Sequence, residues 1–168
     1  LVAFGFYVFV YTMVLKRSST QNIVIGGAAG AIPALIGWAA VTGDLSVAAW
    51  VMFAIVFFWT PPHFWALALR YEDEYRAAAV PMLPVVVGRE RTLDHMALYS
   101  LVTVGVSLLL APWMGWIYLS AAVVLGAVLI GGAMRLRSHP QEAMRYFTAT
   151  NVYLAGLFLA IAVDGLVL

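Results

Sequence analysis

Six apolar runs, at positions 1–15, 23–41, 47–69, 95–110, 118–134 and 152–167, fill most of this chain, and they restrict its fold more than anything else in it. Crossing the hydrocarbon of a bilayer as a helix takes about 20 predominantly apolar residues. Inside hydrocarbon each backbone N–H and C=O needs a protein partner, which a helix supplies within the segment. Glycine and proline inside the runs do not argue against helices, because neighbouring spans satisfy the freed backbone groups. Composition agrees: 64% of residues are hydrophobic, 10% are charged and the mean hydropathy is +0.96, whereas soluble domains carry roughly a quarter charged residues. The chain therefore reads as an all-α, polytopic membrane helix bundle in a lipid bilayer. It forms a single domain over 1–168, without a soluble domain, low-complexity tract or internal repeat.

All nine Lys and Arg residues fall in three of the connections: Lys16 and Arg17; Arg70, Arg76, Arg89 and Arg91; Arg135, Arg137 and Arg145. The alternate connections, 42–46 and 111–117, have none. The positive-inside rule makes the three basic loops cytoplasmic, and a multi-pass protein of the inner (plasma) membrane is expected. A net charge of +1 gives no reason to expect a nucleic-acid partner. The chain begins with Leu, and its first run gives about 22 Å of helix before Lys16. It therefore reads as truncated at the N-terminus.

The third run carries the most unusual chemistry. Trp59 to Gly88 reads WTPPHFWALALRYEDEYRAAAVPMLPVVVG, in which a histidine and a proline pair lie within the apolar stretch and three carboxylates follow it. Ionisable groups within a span are costly and mark sites by default. If the helix continues past Leu69, His63, Leu67, Arg70 and Glu74 share one stripe, with His63 about 10 Å below the interface. A hydrogen-bonded bundle histidine is the other reading of His63. Pro61 and Pro62 remove two backbone donors, so a kink or a widened helix is expected here. The adjacent acids suit Mg²⁺, which binds through one or two carboxylates plus substrate phosphates, and arginines hold phosphate oxygens directly. A solvated charged loop would have the same composition. Of the aromatic set Phe57, Phe58, Trp59, Phe64 and Trp65, one or two are expected in a cavity. His95 and His139 read as local or solvated groups, Thr148, Thr150 and Asn151 as polar groups opening the last span, and Asp164 as a helix end.

TPPHFWALALRYEDEYRAAAVPMLPVV resembles the signature of the haem O synthase (protoheme IX farnesyltransferase) branch of the UbiA-type intramembrane prenyltransferases. YTMVLKRSSTQNIVIGGAAGAIPALIGWAAVTGD at 11–44, the stretch 92–99 and FTATNVYLAGLFLAIAVD at 147–164 extend the likeness over nearly the whole chain. The resemblance implies a nine-helix bundle, of which the six spans here would be the last six. It implies transfer of farnesyl from farnesyl diphosphate to the vinyl group of haem B, giving haem O, with Mg²⁺ on the diphosphate and a haem A synthase downstream. Asp73, Glu74 and Tyr75 match the family's second acidic motif, commonly DDY, and with His63 are the expected catalytic residues. Asp73 and Glu74 would hold the metal. Lys16, Arg17, Asn22 and Arg70 are expected to bind substrate, and Asn22 also reads as an N-cap. Ala79 stands where the family commonly has glycine. The family's first motif, an NDxxDxxxD-like pattern, is absent from this sequence, so the chain by itself is expected to be inactive. A quinone-precursor prenyltransferase is the alternative acceptor class. A proton-relaying transporter is the alternative outside the enzyme class.

Overall fold

The computed structural model of the protein describes residues 2–167, all of whose regular elements are helical. The first helix, α1, is a continuous run of three segments, Val2–Gly5, a widened π-helical stretch Phe6–Leu15, and Lys16–Ser18. It is followed by α2 (Asn22–Thr42), α3 (Val47–Arg70), two short helices α4 (Glu72–Ala77) and α5 (Leu83–Val87), then α6 (Arg89–Leu108), α7 (Trp116–Ser138) and α8 (Ala143–Val167). Five segments are long and apolar enough to cross a membrane: Asn22–Thr42, Val47–Arg70, Arg89–Trp113, Trp116–Ser138 and Pro140–Val167. The sixth expected span is the described part of α1.

Helices α6 and α8 begin at Arg89 and Ala143, well before the apolar runs at 95 and 152. Their first turns carry the charged sequences RERTLDH and AMRYFTAT. Hydropathy reports where hydrocarbon begins, whereas hydrogen bonding lets a helix continue into the polar layer. Thr150 therefore lies inside α8 rather than opening it.

The widened helix expected around Pro61 and Pro62 is not there, since α3 is α-helical throughout and buries both prolines. Thr60 sits beside the gap and donates its hydroxyl to the Val56 carbonyl at 2.8 Å. The widening lies in α1 instead, where Thr12 Oγ1 donates to the Tyr7 carbonyl five residues back at 3.0 Å. Gly43, at φ 75°, ends α2 in the left-handed region that glycine adopts without steric penalty.

The core runs through α3, α6, α7 and α8, with Ile55, Trp65, Met96, Leu129, Leu136 and Leu157 fully enclosed. In a bilayer the contrast between core and surroundings is weak, so close packing and interhelical hydrogen bonds carry the association. Gly126 lets Val104 of α6 approach α7 so closely that a Cβ there would lie 2.8 Å from Val104 Cγ1. Three hydroxyl contacts tie the same helices: Ser100 to Tyr146 at 2.5 Å, Tyr153 to Ser107 Oγ at 2.9 Å, and Tyr118 to the Ser107 carbonyl at 2.7 Å. Each such tie is worth about 0.6 kcal/mol in a membrane protein.

At one end of the bundle, Asp94 of α6 pairs with Arg137 of α7, and Arg135 with Glu142 at 2.7 Å. At the other end Asp164, only 2% exposed, accepts from the backbone N–H groups of Gly115 and Tyr118 at 2.9 and 2.8 Å. It is more than the end of a helix. The last helix thus supplies the cap that the start of α7 lacks within its own sequence.

Candidate active site

At the arginine-bearing end, α3 stops at Arg70, Tyr71 turns the chain (φ −112°, ψ 33°), and α4 starts afresh at Glu72. The expected stripe from His63 to Glu74 is therefore broken: His63, Leu67 and Arg70 share α3, and Glu74 belongs to the next helix. The acids Glu72, Asp73 and Glu74 occupy the first turn of α4, where the helix dipole favours negative charge. Glu72 is spent on structure, for it pairs with Arg76 at 2.8 Å and with Arg89 at 3.2 Å. These contacts tie the short helix to the beginning of α6. Asp73 and Glu74 are exposed, and among the described residues neither has an ion-pair partner.

Past Ala77 the chain closes α4 with a Schellman motif: Val80 N–H bonds to the Tyr75 carbonyl at 3.0 Å and Ala79 N–H to the Arg76 carbonyl at 3.1 Å. This motif places the residue just past the helix cap in the left-handed region, and Ala79, which follows the cap residue Ala78, has φ 52°. Tyr75, Val80 and Val85 then pack on Ile23, Ala68 and Met82. The apolar run after the acids is a buried anchor, with Met82 and Leu83 each 3% exposed.

Asn22 holds the other side of this mouth. It lies in the first turn of α2 and does not cap it, since the residue at the cap is Gln21. Its side chain is drawn inward between two loops, with Nδ2 at 3.4 Å from the Lys16 carbonyl and 3.9 Å from Met82 Sδ, and it is 1% exposed. Its Oδ1 is enclosed without a partner. In this arrangement Asn22 joins the Lys16 corner to the Met82 anchor. Lys16, Arg17 and Arg70 are exposed, and among the described residues none has an acidic partner. Arg70 stands over the Tyr71 ring at 5.7 Å.

Between α1, α2 and α3 lies an apolar cavity of about 510 Å³, lined among others by Tyr7, Tyr11, Gly26, Gly27, Trp59 and Phe64. Gly26 is required by Tyr11, because a Cβ there would come within 2.4 Å of that ring. Of the five aromatic candidates, Trp59 and Phe64 line the cavity, and Trp65 is buried in the core. His63 is a buried neighbour of this wall. Its ring stacks between Trp59 and Phe147, with centroids 4.3 Å away on each side, and makes a T-shaped contact with Phe64 at 5.1 Å. Its Nδ1 is 2.8 Å from Thr150 Oγ1.

Chemically, the mouth offers the carboxylates Asp73 and Glu74 and the cations Lys16, Arg17 and Arg70, all without ion-pair partners among the described residues, and an aromatic-walled apolar cavity. Hard oxygen donors of this kind suit Mg²⁺ held partly by a substrate diphosphate. Among the described residues no three acidic or histidine side chains form a metal cage, so any metal there would take its remaining ligands from substrate, water or residues beyond this stretch. Sequence reasoning passed over Phe147 and Thr150 as partners of His63, and Glu72 as the tether of α4. The Glu72 to Arg76 spacing of four was a usable signal. No local pattern reports that residues from α3 and α8 will meet.

The chain matches the model of the UbiA prenyltransferase family over residues 1–162. It is 57% identical to the protoheme IX farnesyltransferase of Gloeobacter violaceus over 98% of this chain and 55% of that protein. It is 52% identical to protoheme IX farnesyltransferase 1 of Saccharopolyspora erythraea over 99% of this chain and 55% of the relative. The protoheme IX farnesyltransferase of Thermus thermophilus is 53% identical, with 94% of this chain matched to 27% of that protein. The chain thus spans about half the length of the first two relatives. No solved structure matches it. With the matched region running from α1 into α8, across both the acidic mouth and the cavity, this chain belongs to the UbiA prenyltransferase family.

Proposed function

We propose that the whole protein of which this chain is part transfers a farnesyl group from farnesyl diphosphate to a vinyl group of haem B, forming haem O. The observation that carries the reading is the pair of exposed carboxylates Asp73 and Glu74, unpaired among the described residues, beside a cavity walled by Trp59 and Phe64. The relatives' names supply the haem acceptor. In the reaction the allylic C–O bond breaks, diphosphate leaves, and the farnesyl carbon bonds to the outer vinyl carbon. Water then adds to the inner carbon and a proton is released.

Asp73 and Glu74 would hold Mg²⁺ on the diphosphate, where positive charge stabilises the leaving group as its charge develops. Lys16, Arg17 and Arg70 grip phosphate oxygens by charge-assisted hydrogen bonds. Tyr75, half-buried against the Met82 anchor, fixes the orientation of the acidic turn. Trp59 and Phe64, which line the cavity, would favour a developing allylic cation through their π-systems. His63 serves the haem acceptor. The arginines of the loops support a mouth on the cytoplasmic side of a plasma membrane, and the product suits a haem A synthase acting next.

Expression of the full-length protein in a host that lacks haem O, followed by chromatography of extracted haems, tests the proposal. Haem O should accumulate in a Mg²⁺-dependent manner. Its absence from cells with ample folded protein would overturn the reading.

A further inference from the structure

The only hydroxyl hydrogen of Thr150 has one place to go. Thr150 Oγ1 lies 2.6 Å from the Phe147 carbonyl, and two oxygens at that distance need a proton between them, which a carbonyl cannot supply. The hydroxyl therefore donates to Phe147, and towards His63 Nδ1, at 2.8 Å, it has only lone pairs to offer. Nδ1 must be the donor. In a neutral imidazole the hydrogen on one nitrogen leaves the other with a free pair.

The ring is not at liberty to exchange this bond for another. Trp59 and Phe147 clamp its two faces at 4.3 Å. The clamp is itself pinned, because Trp59 Nε1 donates to the Thr150 carbonyl at 2.8 Å. One residue of α8 thus receives the indole of α3 on its backbone and the imidazole of α3 on its side chain. Among the described residues Nε2 has no hydrogen-bond partner.

We infer that Thr150 is a positioning residue for His63, fixing the imidazole as the Nδ1–H tautomer so that Nε2 offers a lone pair rather than an N–H. This rests on the haem reading in one respect: given a haem acceptor, the lone pair suits the iron, whereas contact with a propionate would call for a donor at Nε2. The tautomer itself does not depend on which substrate the protein uses.

Magic-angle-spinning spectra of the full-length protein, labelled with ¹⁵N-histidine and reconstituted in lipid, report the tautomer directly. The His63 signal is identified by its loss in His63→Gln. Wild type and Thr150→Ser should both show a protonated Nδ1 with a bare Nε2, while Thr150→Val should move toward the Nε2–H form. A wild-type signal with hydrogen on Nε2, or a Thr150→Val spectrum like wild type, would overturn the inference. Titration with haem B and with farnesyl diphosphate separates it from the functional reading. Thr150→Val should bind haem about tenfold more weakly, the scale on which supporting hydrogen bonds act, and bind the diphosphate as wild type does. A moved tautomer with unaltered haem affinity supports the positioning role and counts against the haem reading. If Thr150→Val fails to fold, the wild-type and Thr150→Ser spectra still decide the tautomer.

Discussion

Two pairs of carboxylates, one at each end of this bundle, have opposite circumstances. At the arginine-bearing end, Asp73 and Glu74 are exposed and unpaired within the described residues, held out on a short helix whose own anchoring is done by Glu72 and the Met82 segment. At the far end, Asp44 accepts from Thr42 Oγ1 at 2.9 Å and from Trp38 Nε1 at 3.4 Å, and Asp164 is enclosed with two backbone N–H donors. A carboxylate whose hydrogen-bonding capacity is taken by its own protein has little left for a ligand. Availability, rather than acidity of composition, separates Asp73 and Glu74 from Asp44 and Asp164.

Substitution tests that contrast most sharply at Asp73 and Glu74. Alanine at either should lower turnover by about 10² to 10³, the range seen when one group stabilising a developing charge is removed. Asp44→Ala should leave turnover near wild type. Steady-state rates at matched folded yield decide it, and equal losses at both ends would dissolve the distinction.

Asp164→Ala comes next. It strands two N–H groups at the start of α7, so stability should fall by about 2 kcal/mol, seen as earlier unfolding in detergent, with KM for farnesyl diphosphate unaltered. Lost turnover at unaltered stability would instead place Asp164 in the chemistry.

The smallest effect is expected at the joint that carries the acidic turn. Left-handed backbone costs a residue with a Cβ about 1–2 kcal/mol, and glycine's greater freedom when unfolded costs about 0.5–1 kcal/mol. Ala79→Gly should thus stabilise the arm by about 0.5 kcal/mol, read as slower amide exchange at the backbone of Ala79 and Val80. Faster exchange there would mean that the Schellman closure is not what holds the turn.

Much of this architecture was legible before any coordinates. Apolar runs gave the helices, because hydrocarbon selects strongly for composition, and the grouping of arginines matches the end where Asp94 and Arg137 meet. The peculiarity of Ala79 was also visible, as a residue with a Cβ at a position the family gives to glycine, and its φ is positive. Helix starts at Arg89 and Ala143 were not legible, since polar first turns resemble loops. The break at Tyr71 escaped for the converse reason: ALALRYEDEY keeps helical spacing across the bend. Within the candidate site, sequence pointed to the acids and to His63, while the enclosure of Asn22 and the meeting of His63 with Thr150 depend on contacts across 60 and 87 residues.

The cap that Asp164 gives to α7 also sets an order of events. Tyr118 and the aspartate that receives its N–H are 46 residues apart, and a ribosome makes the helix long before it makes the acceptor. Until α8 has crossed, the start of α7 has only water or lipid headgroups to satisfy Gly115 and Tyr118. Helices α7 and α8 therefore mature as one hairpin, with the start of α7 dry only once Asp164 is in place.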